Sequence, residues 1–373
     1  MTRFIQAHAA GDGWANIAKS CADQLTGARG DGGWNLGFLY VTDPLADDLE
    51  SVLTFLRQTT GVEDWVGTVG FGICAGATEY HDEPAAAVML GAFPEDSFRV
   101  FSGIKTGLGD MPAAVRAWAD DVGAPFSVVH GDPSHRRLAA MLEETAGTFT
   151  SFLVGGLTAS RGAMPQIAGM IDQGGISGAL FSGEVQVATG LSQGCAPLAE
   201  PHTVTEAEDK IIMSIDGVTA LDVMKDDIGE LLARDLSRAA GYIHAAFPVP
   251  GSDTRDYLVR SLVGIDPDRG WIAVGGPVAA GDRIMFVRRD PLAAESDLVD
   301  MVDGLKGRLP SGPVGGLYFS CVARGPGMFG APGKEMSIIT QWLGDFPLVG
   351  FYGNGEISNA RLYGYTGVLV LFF

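Results

Sequence analysis

One pattern recurs along this chain and limits how it can fold: strand, helix, strand, strand, with a Val-Gly pair closing or entering the second strand. It is met first in LGFLYVT (Leu36–Thr42), a helical stretch from Ala46 to Gln58, VGTVGFGICAGA (Val66–Ala77) and AAAVMLGAF (Ala85–Phe93). It returns in PFSVVHGDP (Pro125–Pro133), SHRRLAAMLEETA (Ser134–Ala146), FTSFLVGGLTAS (Phe149–Ser160) and GALFSGEVQVATG (Gly178–Gly190). A third occurrence is GGLYFSC (Gly315–Cys321), a helix, FPLVGFYGNGE (Phe346–Glu356) and TGVLVLFF (Thr366–Phe373). Short apolar runs closed by Gly, Pro and Asp read as buried strands, so the expected class is α/β with mixed sheets. Ordinary α/β alternation is the other reading, and the recurring Val-Gly pair favours an internal repeat.

A different block separates the second and third copies. Val204–Leu232 holds a strand at Ile211–Ile215, a turn at Asp216-Gly217 and then a helix, and Arg255–Pro291 reads as a meander of strands. The helix beginning near Ala220 marks the expected join between two domains, 1–219 and 220–373. No Pro-, Ser- or Gly-rich linker stands there, so the two are expected to pack closely.

Two domains also suit 373 residues, too many for one ordinary core. With 45 acidic against 25 basic side chains, the net charge of −20 argues against nucleic acid and anionic lipid surfaces as partners. Four scattered cysteines without a C-x-x-C pair fit neither a disulfide framework nor a zinc knuckle. No signal-peptide core and no membrane-spanning run is seen, so a cytoplasmic protein is expected.

Candidate chemistry gathers at the strand ends of the third copy, where ligand sites are often built. Gly325–Gly330 matches G-x-G-x-x-G between a strand and a helix. However, Pro326 and Pro332 each remove a backbone donor, and Asp345 lies in a turn where a ribose-holding residue should end a strand. A Walker loop fails too, because Glu335 stands where Ser or Thr would hold magnesium. No cofactor is therefore expected. Arg324, a charged fork beside glycines, suits capture of a carboxylate, and Glu356 could receive an ammonium group.

Other candidates carry bland alternatives. Cys321, three residues before Arg324, is either a thiol activated by that charge or a buried small hydrophobe. Ser192 lies in G-x-S-x-G but is followed by loop instead of helix. Asn354-Gly355 also signals a hairpin turn. His130 and His135 flank a strand-to-helix turn in which Asp132 and Ser134 serve as turn and cap residues, and no metal is expected there.

Together FIQAHAAGDGWA, VGTVGFGICAGATEYHDEPAAAVML, FLVGGLTAS, LSQGCAPL, HTVTEAEDKIIMSIDGVTALDV, YFSCVARG and PLVGFYGNGEI make the chain similar, over nearly its whole length, to the FIST proteins, built from an N-terminal and a C-terminal FIST domain. The resemblance implies intracellular sensing of small ligands, with amino acids as a proposed class, and no established catalytic residue. The chain departs from the family's larger architectures in that no output domain is expected beside the two FIST domains, so a signal is expected to leave through a downstream protein partner or a homo-oligomer.

The combined expectation is a small-molecule sensor. Arg324 takes a carboxylate, Glu356 with Asn354 takes the polar end, Gly155, Gly156, Gly353 and Gly355 line the floor, and Cys321, Arg260 and Glu79 are further contacts. Competing readings are an enzyme using Cys321 or Ser192 and a protein-interaction adaptor.

Overall fold

A computed structural model of the chain describes residues 2–28, 32–233, 241–252 and 256–373. It has two compact units, one made of residues 1–193 with 295–373 and the other of residues 194–294. The first unit is a threefold repeat, and each copy is longer than the sequence pattern suggested.

Copy one runs β1 (Arg3–Ala10), α1 (Trp14–Ala28), β2 (Leu36–Thr42), α2 (Leu49–Thr60), β3 (Asp64–Gly70), β4 (Gly72–Ala75), β5 (Thr78–His81) and β6 (Ala85–Ala92). Copy two repeats this order as β7 (Phe98–Ile104), α3 (Ala113–Val122), β8 (Phe126–Gly131), α4 (Leu138–Phe149), β9 (Phe152–Leu157), β10 (Pro165–Ala168), β11 (Met170–Gln173) and β12 (Ile176–Phe181). Copy three opens with β13 (Val187–Ser192), so Gly178–Gly190 is two strands of two different copies, where the sequence suggested one.

The second unit is inserted after β13. It holds β14 (Cys195–Pro197), β15 (His202–Glu208), β16 (Ile211–Ile215), β17 (Val218–Thr219), α5 (Ala220–Ala233), β18 (Ile243–Pro248), β19 (Tyr257–Asp266), β20 (Trp271–Val274) and β21 (Arg283–Arg289). Arg255, the first residue of the expected meander, lies outside the described residues. Strands pair in the order β21-β15-β16-β20-β19-β18, and β18 pairs back onto β21, so these six close into an antiparallel barrel, with β14 added to β21 and β17 to β16. Ala220, Leu221, Met224 and Ile228 of α5 fill its core. The 219/220 boundary read from sequence falls inside this unit, between β17 and α5.

Copy three resumes with α6 (Pro291–Arg308), β22 (Gly315–Cys321), α7 (Pro326–Phe329), α8 (Lys334–Leu343), β23 (Leu348–Gly353), β24 (Glu356–Ser358), β25 (Arg361–Tyr363) and β26 (Gly367–Phe372). Asn354-Gly355 is not a hairpin turn, because β24 leaves β23 and pairs with β9 of copy two.

That departure is one case of a cyclic exchange. The three sheets read β1-β6-β2-β3-β10-β11, β7-β12-β8-β9-β24-β25 and β13-β26-β22-β23-β4-β5. In each, the two central strands β2 and β3, β8 and β9, or β22 and β23 run parallel, and the hairpin at one edge comes from another copy. Copy one gives its hairpin to the sheet of copy three, copy two to copy one, and copy three to copy two. Three equivalent backbone bonds follow the same circuit: Phe71 N to Tyr352 O at 3.2 Å, Ala159 N to Val69 O at 3.0 Å, and Asn354 N to Leu157 O at 3.1 Å.

The Val-Gly pairs now have a cause. Gly67, Gly155 and Gly350 occupy one register position, opposite Leu39, Val129 and Tyr318. A Cβ there would lie 1.8 Å from Leu39 O, 1.8 Å from Val129 O and 1.7 Å from Tyr318 O, far inside contact distance. Only glycine lets the parallel strands approach.

Inner faces of the three sheets share one core, with Phe38, Val128, Val154, Phe351 and Phe372 among its members. At its centre Tyr40, His130 and Phe319, again one register position in three copies, form a triangle with ring centroids 5.6, 6.2 and 6.2 Å apart. His130 Nε2 lies 3.2 Å from the Tyr40 hydroxyl, and burial pushes the imidazole pKa down to about 3. His130 is thus a core residue of the fold.

Two predictions follow. Gly350→Ala, or its counterpart at Gly67 or Gly155, should abolish folding or cost more than about 4 kcal/mol, whereas Gly147→Ala on α4, with open space around it, should stabilise by roughly 0.5–1 kcal/mol. Equal midpoints in urea would contradict the close-approach account. For His130 the native ring stays neutral while the unfolded ring gains a proton below about pH 6.5. Its contribution is therefore complete above that pH and is lost as pH falls from 6.5 towards 3. His130→Phe should reduce the loss of core hydrogen-exchange protection between pH 7 and 5 by up to about 2 kcal/mol, and an unchanged loss would place the acid sensitivity elsewhere.

Candidate functional site

After β22 the chain turns tightly, with Arg324 N donating to Cys321 O at 2.8 Å, so the Arg324 side chain folds back under the strand end. Its Nε donates to Glu335 Oε1 at 2.7 Å, its Nη1 to Gln193 O at 3.1 Å, and its Nη2 to Ser192 Oγ at 3.2 Å. The guanidinium lies 5.1 Å from the centre of the Phe329 ring. Glu335 also accepts from the Tyr318 hydroxyl at 2.7 Å, Ser320 Oγ at 3.0 Å and Gly325 N at 3.1 Å. Neither side chain of the pair is exposed. Burial works against a charged guanidinium here, but Glu335 beside it holds the group protonated.

This changes the role expected of Arg324. The carboxylate it was expected to take from a ligand comes from the first turn of α8, and the first N–H of the G-x-G-x-x-G loop is used by the same carboxylate. Glu335 is the residue that sequence reasoning missed as a partner. Its only signal was an acid in the first helical turn, eleven positions after the arginine.

Glu356 lies on the other side of Cys321. Its Oε2 accepts from Thr366 N at 3.2 Å and Thr366 Oγ1 at 2.7 Å, while Oε1 is buried without an N–H or O–H partner and faces the weakly donating Cys321 thiol. Burial raises its pKa to about 8. The Cys321 thiol is pushed up by burial and then by the Glu356 charge, the opposite of activation by Arg324, and it fits the buried-hydrophobe reading.

A second group adjoins Glu335. The hairpin β4–β5, given by copy one, carries Glu79 and His81 to the edge of β23. Glu79, its side chain unexposed, accepts from Met336 N at 3.4 Å and lies 3.3 Å from His81 Nε2. The His81 ring is 4.7 Å from that of Tyr352, whose buried hydroxyl has no hydrogen-bond partner. Gly325, at φ +58°, makes room for the ring, since a Cβ there would lie 3.1 Å from His81 Cε1.

The remaining sequence candidates are placed by packing. Asn354 Nδ2 donates to Thr158 O at 3.1 Å, tying copy three to copy two. A Cβ on Gly156 would meet Phe351 at 2.9 Å, one on Gly353 would meet Leu157 O at 2.5 Å, and one on Gly355 would meet Leu157 Cδ1 at 3.2 Å. These three glycines serve contact between copies, whereas Gly155 serves the close approach of β8 and β9 within copy two. Arg260 is on β19 of the inserted unit, its Nη1 donating to Val259 O at 3.0 Å. Ser192 Oγ is buried and engaged by Arg324. Ser134 does not cap α4, which begins at Leu138; its hydroxyl donates to Asp132 Oδ1 at 2.7 Å.

Glu356 yields a signed expectation. Its native pKa is raised above the unfolded value near 4.5, so its contribution is complete below that pH and is lost as pH rises towards about 8. Glu356→Gln should therefore gain stability relative to the parent between pH 4.5 and 8, by up to roughly 5 kcal/mol. A difference independent of pH in paired urea titrations would show that Glu356 ionises normally.

Two family models match in succession, the FIST N domain over residues 35–218 and the FIST C domain over residues 220–359. An uncharacterized protein of Mycobacterium tuberculosis is 30% identical, covering 96% of this chain and 95% of its own length. An uncharacterized protein of Mycobacterium bovis is 29% identical over 95% of this chain and 94% of its own. The chain belongs to the FIST family, whose domains are associated with sensing in signal transduction.

Proposed function

We propose that this protein is a small-ligand sensor whose responsive centre is the strand-end cluster of copy three, with an amino acid or related metabolite as ligand. One observation carries the reading: the scaffold repeats three times, but among the described residues the buried ionisable cluster occurs at one of the three junctions. Glu356 pairs in register with Gly156, as Gln166 does with Thr68 and Ile73 with Phe351, so one structural position is filled by a carboxyl, an amide and an alkyl group. The fold does not demand ionisable groups there. A buried ionisable group that the scaffold does not require is a candidate functional group.

The family association with sensing supports this assignment. The four cysteines are free and buried, which fits a reducing, cytoplasmic setting. Among the described residues no helix is long and apolar enough to cross a membrane. In this reading the signal passes to a downstream protein partner, or through association of copies of the chain.

A thermal-shift series with the twenty protein amino acids tests the proposal. At least one should raise the unfolding midpoint in a concentration-dependent way, since a ligand at 100 times its Kd stabilises by about 2.7 kcal/mol. A flat response to all twenty would count against amino-acid sensing.

A further inference from the structure

Arg324 and Glu335 neutralise each other at 2.7 Å, and burial keeps Glu356 protonated near neutral pH. Glu295 pairs with Lys334 at 2.5 Å at the start of α8. The side chain of Glu79 is wholly buried, with a backbone N–H at 3.4 Å and the His81 ring at 3.3 Å. Against the same His81 ring stands Tyr352, whose hydroxyl is buried and, among the described residues, has no hydrogen-bond partner. A buried hydroxyl left without a partner is unfavourable, and an incoming polar group would relieve it.

We infer that Glu79 and Tyr352 form the binding notch for a primary ammonium group, and that His81 is the plug a ligand displaces. The inference rests on the sensing assignment and names the part of the ligand that is read. An ammonium offers three donors. Here one donor meets the Glu79 carboxylate and another the Tyr352 hydroxyl oxygen, while the Tyr352 hydroxyl remains free to donate in turn. A ligand carboxylate is not read by Arg324, whose charge Glu335 already meets.

His81 suits the part of a plug. It lies on an edge strand, its side chain is 26% exposed, and its ring covers Tyr352 while its Nε2 reaches Glu79. Gly325 gives it space on the side of the copy-three loop. Displacing the ring would leave the β4–β5 backbone pairing intact.

The test compares three sets of probes by thermal shift and calorimetry: free amino acids, their N-acetyl derivatives, and n-propylamine. Four proteins are used: the parent, His81→Ala, Glu79→Gln and Tyr352→Phe, the last keeping the ring that packs in the core. A free amino acid that stabilises the parent should lose its effect on N-acetylation. It should bind His81→Ala at least tenfold more tightly and the other two variants at least tenfold more weakly. Stabilisation by n-propylamine with the same variant pattern also supports the notch and identifies the ligand as an amine without need of a carboxylate. Equal binding of N-acetyl derivatives, or affinities untouched by Glu79→Gln and Tyr352→Phe, would overturn the notch while leaving the sensing assignment standing. No shift with any probe in any of the four proteins would overturn both.

Discussion

Contact of backbone on backbone at Gly67, Gly155 and Gly350 is the constraint on which the three-sheet unit depends. At each site the parallel partner's carbonyl oxygen occupies the space a Cβ would need. The strand ends beyond these glycines then come close enough to exchange Phe71, Ala159 and Asn354 N–H bonds around the circuit. Because each hairpin completes another copy's sheet, no copy can bury its faces alone, and the three are bound to fold together. The shared core, with Tyr40, His130 and Phe319 at its centre, is the apolar consequence of that closure.

The same exchange creates the chemistry. Glu79 and His81 belong to copy one in sequence but to the edge of β23 in space, where they meet Tyr352 and the first turn of α8. Glu356 belongs to copy three but sits beside β9 of copy two. Each junction therefore gathers side chains that lie far apart in the sequence. At the copy-three strand ends these side chains are ionisable, and the Arg324–Glu335 pair ties the end of β22 to α8 between them. Removing one member of such a pair leaves an uncompensated buried charge, typically at a cost of about 3–5 kcal/mol, so the pair reads as a positioning element for the groups on either side.

Much of the fold was legible because it is local. The buried strands, the helices and the Val-Gly recurrence follow from apolar runs and the glycines between them. The hairpin exchange was not legible, since pairing between β4 and β23 spans more than 270 positions and leaves no periodic trace. The inserted barrel was detected as a foreign block, but its limits at 194 and 294 carry no linker composition to mark them. At the site, Cys321, Arg324, Asn354 and Glu356 drew notice as polar residues near strand ends, and Glu79 as a carboxylate shortly after glycines. Their roles were harder to read. Arg324 looked available because Glu335 sits in a helical first turn where an acid is commonplace, and Tyr352 and His81 gave no signal because aromatic and histidine residues on strands usually pack as core.

Amide hydrogen exchange of the protein with and without a saturating mixture of amino acids tests the central claim most directly. The account predicts added protection confined to Gly72–His81 and the first turn of α8, where the Glu79 carboxylate meets the Met336 amide. Protection confined to the inserted barrel, or no change anywhere, would contradict a sensing site at the copy-three strand ends.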